Sequence, residues 1–99
     1  MLNITKFREG RSFKITLEGR FDTGTAPQLE EIIRNELADV ELLIFDFTNL
    51  EYISSAGLRV LLAAQKIMNK QGRMVVRNVS EEVKEIFEVT GFTDILTLE

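Results

Sequence analysis

The chain has 99 residues, enough for one domain and too few for two ordinary ones, and its 44% hydrophobic and 28% charged residues suit a packed core under a solvated surface. With 12 basic residues against 16 acidic ones and a net charge of −4, nucleic acid is not an expected partner, because neutralising phosphates needs a basic face. The absence of cysteine and histidine excludes disulfides, thiol chemistry, Cys/His zinc sites and Ser-His-Asp triads, so no metal or other cofactor is expected.

The first twenty residues read as a hairpin. Leu2, Ile4 and Phe7 mark its first arm, Glu9-Gly10-Arg11-Ser12 the turn, and Phe13, Ile15 and Leu17 alternate with Lys14, Thr16 and Glu18 as a strand with one wet face, closed by Gly19. Phe21 to Thr25 is a small, polar loop. Thr25 is the expected N-cap of a helix that tolerates Pro27 in its first turn, has Glu30 and Glu31 near its positive end, and runs to about Ala38 with Leu29, Ile32, Ile33 and Leu37 inward. Leu42 to Phe47 is nearly continuous in apolar residues, which predicts a strand covered on both faces, central and paired in parallel. A loop is expected over Thr48 to Ser54.

From Ser55 a heavily buried helix follows, with Leu58, Leu61, Leu62, Gln65 and Met68 on one stripe and Gly72 as its stop. Met74-Val75-Val76 predicts a buried strand. Ser80 caps a third helix, with Glu81 and Glu82 in its first turn and Val83, Ile86 and Phe87 inward, ended by Thr90-Gly91. Ile95, Leu96 and Leu98 predict a short last strand. The order ββαβαβαβ implies an α/β domain with a mixed sheet, whose strand order the pattern leaves open. No apolar run approaches the roughly 18 residues of a membrane span. Met1 to Lys6 lacks the basic-then-apolar pattern of a secretory signal, so a cytoplasmic protein with no direct membrane insertion is expected.

In an open α/β sheet, sites gather beyond the carboxyl ends of strands, beside helix N-termini. Phe21 to Thr25 and Thr48 to Gly57 both fall there, and the second holds the adjacent hydroxyls Ser54 and Ser55. Ser55, at or just before a helix start, suits two roles: a cap for one free amide, or an acceptor whose phosphate the helix end tolerates. Asp22 suits a turn former, and Asp46, inside an apolar strand, a satisfied structural carboxylate. An enzyme built on either aspartate with Ser55 would lack a base of suitable pKa to activate the serine.

Tyr52-Ile53-Ser54-Ser55-Ala56-Gly57-Leu58-Arg59-Val60-Leu61-Leu62 closely resembles the signature of the bacterial anti-sigma-factor antagonists, the stand-alone members of the STAS domain family. Gly19-Arg20-Phe21-Asp22 resembles the family's early turn, and Leu43 to Phe47 before Leu50 its central strand. Gln71 to Met74, Val83 to Phe87 and Thr90-Gly91-Phe92 resemble its last third, so the likeness spans nearly the whole chain in order. It implies a single STAS domain over residues 1–99, a signalling phosphoprotein rather than an enzyme. The implied partners are an anti-sigma factor with serine kinase activity, which the unphosphorylated form binds so that the sigma factor is released, and a resetting serine phosphatase. By the same resemblance phosphorylation is expected on Ser55, and partner contacts are expected on Asp22, Thr23, Ser54, Ser55, Ala56, Gly57 and Arg59. Many members carry Asp immediately before the acceptor, where this chain has Ser54. A STAS subunit of a membrane transporter complex or stress-sensing assembly is the alternative the resemblance leaves open.

Overall fold

The computed structural model describes residues 1–99. Strands β1 (Leu2–Glu9) and β2 (Ser12–Phe21) form the expected antiparallel hairpin, joined by Gly10-Arg11 alone. Gly10 adopts φ +61°, the positive value so tight a turn requires. Phe7 belongs to β1 but lies 62% exposed, so it is no part of the core. β2 does not stop at Gly19. It shifts register there and continues to Phe21 beside the next strand.

That strand, β3 (Leu42–Ile53), is longer than its sequence predicts, because the stretch expected to be a loop from Thr48 is strand as far as Ile53. β2 supplies the reason: it stays paired with β3 up to Phe21 opposite Ile53, and Leu50 and Ile53 are buried while Thr48, Asn49, Glu51 and Tyr52 are exposed. β3 is central and parallel to both neighbours, β2 and β4 (Arg73–Arg77), in the order β1-β2-β3-β4. It is not covered on both faces. Leu43, Phe45 and Phe47 are fully buried, whereas Leu42, Ile44 and Asp46 on the other face are half-buried. On that wet face Lys14 approaches Asp46 at 3.7 Å and Asn49 donates to Glu18 at 3.2 Å.

Helices α1 (Ala26–Glu36) and α2 (Ser55–Gln71) are the crossovers from β2 to β3 and from β3 to β4. Parallel crossovers between sequential neighbours place helices on one face when both are right-handed. The two helices pack side by side, over the face that holds Phe13, Ile15 and Leu17. α1 ends at Glu36, short of Ala38, and its first turn holds no acid, so Glu30 and Glu31 lie beyond reach of the helix end. α3 (Glu81–Thr90) starts as expected: Ser80 accepts from the Val83 N–H at 3.3 Å, with Glu81 and Glu82 in the first turn. Gly91 closes it with φ +80°. The last strand shrinks to a parallel bridge between Leu98 and Val76 after a 3-10 turn at Phe92–Asp94, and Ile95 is exposed. Met68 and Met74 are core residues.

Gly72 ends α2 in an extended conformation against the backbone of Glu41, whose carbonyl accepts from the Arg73 N–H at 2.9 Å. A Cβ there would overlap that carbonyl, and neither backbone can yield without breaking the β3–β4 ladder. Gly72→Ala is expected to lower stability by about 2–3 kcal/mol, the scale of overpacking a close contact, as read from urea unfolding.

Candidate functional site

The ends of β2 and β3 lie side by side, and the two segments leaving them form one tip. The Ser54 N–H donates to the Phe21 carbonyl at 2.9 Å and so joins them. Asp22 organises the first segment. Its Oδ1 accepts from the Gly24 and Thr25 N–H groups, both at 3.1 Å. The Thr25 hydroxyl accepts from the Asp22 N–H at 2.9 Å and lies within bonding distance of the Arg20 carbonyl (2.8 Å) and of Asp22 Oδ1 (3.1 Å). Thr25 therefore occupies the N-cap position of α1 without a side-chain cap, and the Asp22 carboxylate holds the turn that leads into the helix rather than its first N–H groups. Partial burial pushes the Asp22 carboxyl upward, but the bonds from Thr25 and Gly24 outweigh it and hold the pKa below the ordinary value.

The second segment turns directly from β3 into α2. Ser54, extended at ψ 175°, accepts from the Gly57 N–H at 3.3 Å, so the capping hydroxyl belongs to Ser54 and not to Ser55. Ser55 is the first helical residue, exposed, and its hydroxyl makes no hydrogen bond within the chain. Gly57 is buried against both strand ends. A Cβ on it would come within 3.0 Å of the Phe21 carbonyl oxygen, 2.9 Å of Ile53 Cγ1 and 3.1 Å of a Phe21 ring carbon.

Between the first turns of α1 and α2 runs an open groove of about 270 Å³, with Thr23, Ala26 and Glu30 on one wall and Ala56, Arg59 and Ala63 on the other. Of the residues expected at a partner surface, Thr23, Ala56 and Arg59 line this groove and Asp22, Ser54 and Ser55 lie in the two segments of the tip, whereas Gly57 is buried beneath them and offers no side chain or surface to a partner. Two residues there were not anticipated. The Arg20 guanidinium lies over the Tyr52 ring at 4.4 Å and its Nε is 3.8 Å from Asp22 Oδ2. Arg20 and Tyr52 meet because they are register partners across β2 and β3, which a loop at Tyr52 would hide.

Asp46 is not brought to the tip. It sits opposite Thr16, well before the strand ends, and accepts from the Thr48 N–H (3.0 Å), the Thr48 hydroxyl (2.6 Å) and Asn78 Nδ2 (3.2 Å). Burial raises its pKa, and the Thr48 and Asn78 bonds with the nearby Lys14 charge more than reverse this, so the folded value lies below the ordinary 3.8.

The family model of the STAS domain matches residues 4–99. The chain belongs to the STAS domain family. Within it the chain is similar to a protein of Bordetella bronchiseptica named as the anti-sigma factor antagonist BtrV, 38% identical over 81 residues that cover 80% of this chain and 70% of that protein. Its fold is similar to that of an anti-sigma factor antagonist from Mycobacterium paratuberculosis (TM-score 0.88, 23% identity, covering 99% of this chain and 85% of that one). It is also similar to the Bacillus cell fate determinant SpoIIAA in its phosphorylated form (TM-score 0.76, 19% identity, covering 100% and 91%).

Two outcomes follow for this STAS domain. Gly57→Ala is expected to cost about 1–3 kcal/mol despite alanine's better helix propensity, because the contact it violates includes backbone, and calorimetry checks it. Asp46, with its depressed folded pKa, contributes stability that is complete above the unfolded value of 3.8 and is lost as pH falls through the folded value. Asp46→Asn should therefore be less stable than the parent at neutral pH and lose less stability between about pH 5 and about pH 2, as measured by urea unfolding across that range.

Proposed function

We propose that residues 1–99 act as one STAS domain that switches partners. In the unphosphorylated state the tip binds an anti-sigma factor that is also a serine kinase, and the sigma factor is released. Phosphorylation of Ser55 ends that binding, and a serine phosphatase restores it. Such a cycle draws on ATP and belongs in the cytoplasm. The observation that carries this reading is the division between two adjacent serines: Ser54 is spent on capping α2, while Ser55 presents an unbonded, exposed hydroxyl one residue later.

The surroundings of Ser55 suit an acceptor better than a nucleophile. A catalytic serine needs a base at its hydroxyl. Asp22, the carboxylate of the facing segment, has one oxygen committed to the turn before α1 and the other beside Arg20. A phosphate on Ser55 would stand among the free N–H groups at the start of α2, whose first turn carries no acid to compete with it. It can therefore be carried without unfolding the domain. Its charge of about −1.5 to −2 would fall on the partner surface. A penalty of about 3–4 kcal/mol there is enough to weaken binding a few hundredfold.

Treatment with the cognate kinase followed by mass spectrometry tests the assignment. Ser55→Ala is expected to abolish phosphorylation and to bind the partner constitutively, and Ser55→Asp to fold but bind weakly. Ser54→Ala should remain a substrate while losing about 1 kcal/mol of stability with its cap. Phosphate on Ser54, with Ser55→Ala still modified, would overturn it.

A further inference from the structure

Resting on the reading of Ser55 as the acceptor, we propose that Arg59 is the intramolecular counter-ion of the phosphorylated serine, so that modification both adds negative charge and withdraws a free cation from the tip. Because Ser54 caps α2 and Ser55 opens it, Ser55 and Arg59 stand one helical turn apart on the same face. Side chains on a helix lean toward its N-terminus, so a long side chain at Arg59 covers the turn that holds Ser55. Both residues are exposed, and no side chain has to leave the core for them to meet.

Arg59 also differs from every other arginine of the chain in having no partner. Arg11 pairs with Glu41, Arg20 with Asp22, Arg34 with Glu30, and Arg73 and Arg77 both with Glu99. Arg8 donates to the Gly10 carbonyl. Arg59 has no carboxylate within 4.0 Å and makes no hydrogen bond, although it shares the groove with Glu30, which is already paired along α1. Its planar guanidinium matches a phosphate with two parallel donors. Arg20, the other cation of the tip, is held between Asp22 and the Tyr52 ring.

Phosphorylation would form the Oγ–P bond of Ser55, break the terminal phosphoanhydride of ATP, and release ADP and the hydroxyl proton. With Arg59 turned to the new phosphate, the local charge passes from about +1 to about −1.

The test uses the full chain with phosphoserine placed at position 55 during translation, and follows the second phosphate ionisation by ³¹P NMR against pH. A neighbouring guanidinium favours the dianion and lowers this pKa. Arg59→Gln should raise it by about 0.2–0.4 unit, the scale of an exposed one-turn ion pair, Arg59→Lys should restore part of the difference, and Arg20→Gln should leave it unchanged. The same titration in the parent and in Arg59→Gln, or an equal displacement by Arg20→Gln, overturns the assignment. Since translation installs the phosphate, the result does not depend on any kinase. A kinase that ignores Ser55 would sink the switch while leaving this measurement intact.

Discussion

Gly57 lets the backbone of α2 settle against Phe21 and Ile53, and the Ser54 N–H closes the join by donating to the Phe21 carbonyl at 2.9 Å. Through this contact two loops distant in sequence become one surface. It holds the start of α2, with Ser55, against the end of β2, with Asp22. The parallel pairing of β2 with β3 carries the two segments to the same level, and the missing side chain at Gly57 lets them touch. The tip is thereby held to the ends of two paired strands of the sheet.

Around that join the polar groups divide into those that hold the backbone and those left free. Asp22 Oδ1, the Thr25 hydroxyl and the Ser54 hydroxyl are spent on backbone N–H and C=O groups of the two segments. Ser55 and Arg59 are spent on nothing. Asp46 belongs to the first class although it lies far from the tip: it ties β2, β3 and the loop before α3 together on the wet face of the sheet. Asp22 and Asp46 thus act as fasteners, and the Ser55 hydroxyl is left exposed.

The element order, the buried faces of β2 and the helices, the caps at Ser80 and Gly91 and the placing of the site beyond the strand ends were legible in the sequence. Each depends on periodicity or on groups within one turn of each other. The errors share a cause. Thr48 to Ile53 has the polar look of a loop and is strand because β2 pairs with it. Leu42 to Phe47 has the look of a doubly buried strand, yet both crossover helices cover the same face. Thr25 and Ser55 both stand where a cap would serve, yet α1 has no side-chain cap, Asp22 holding the turn before it, and Ser54 holds the cap bond of α2.

What the sequence by itself determined is the set of local structures, the family resemblance and the segment that carries the exposed serine, since these follow from side-chain pattern and short-range hydrogen bonding. Tertiary structure alone decided the strand order, which of two adjacent serines is free, the meeting of Arg20 with Tyr52 and Asp22, and the isolation of Arg59. Those depend on register between strands and on which partners the fold brings within reach. A one-residue slip of β2 against β3 would part Arg20 from Tyr52.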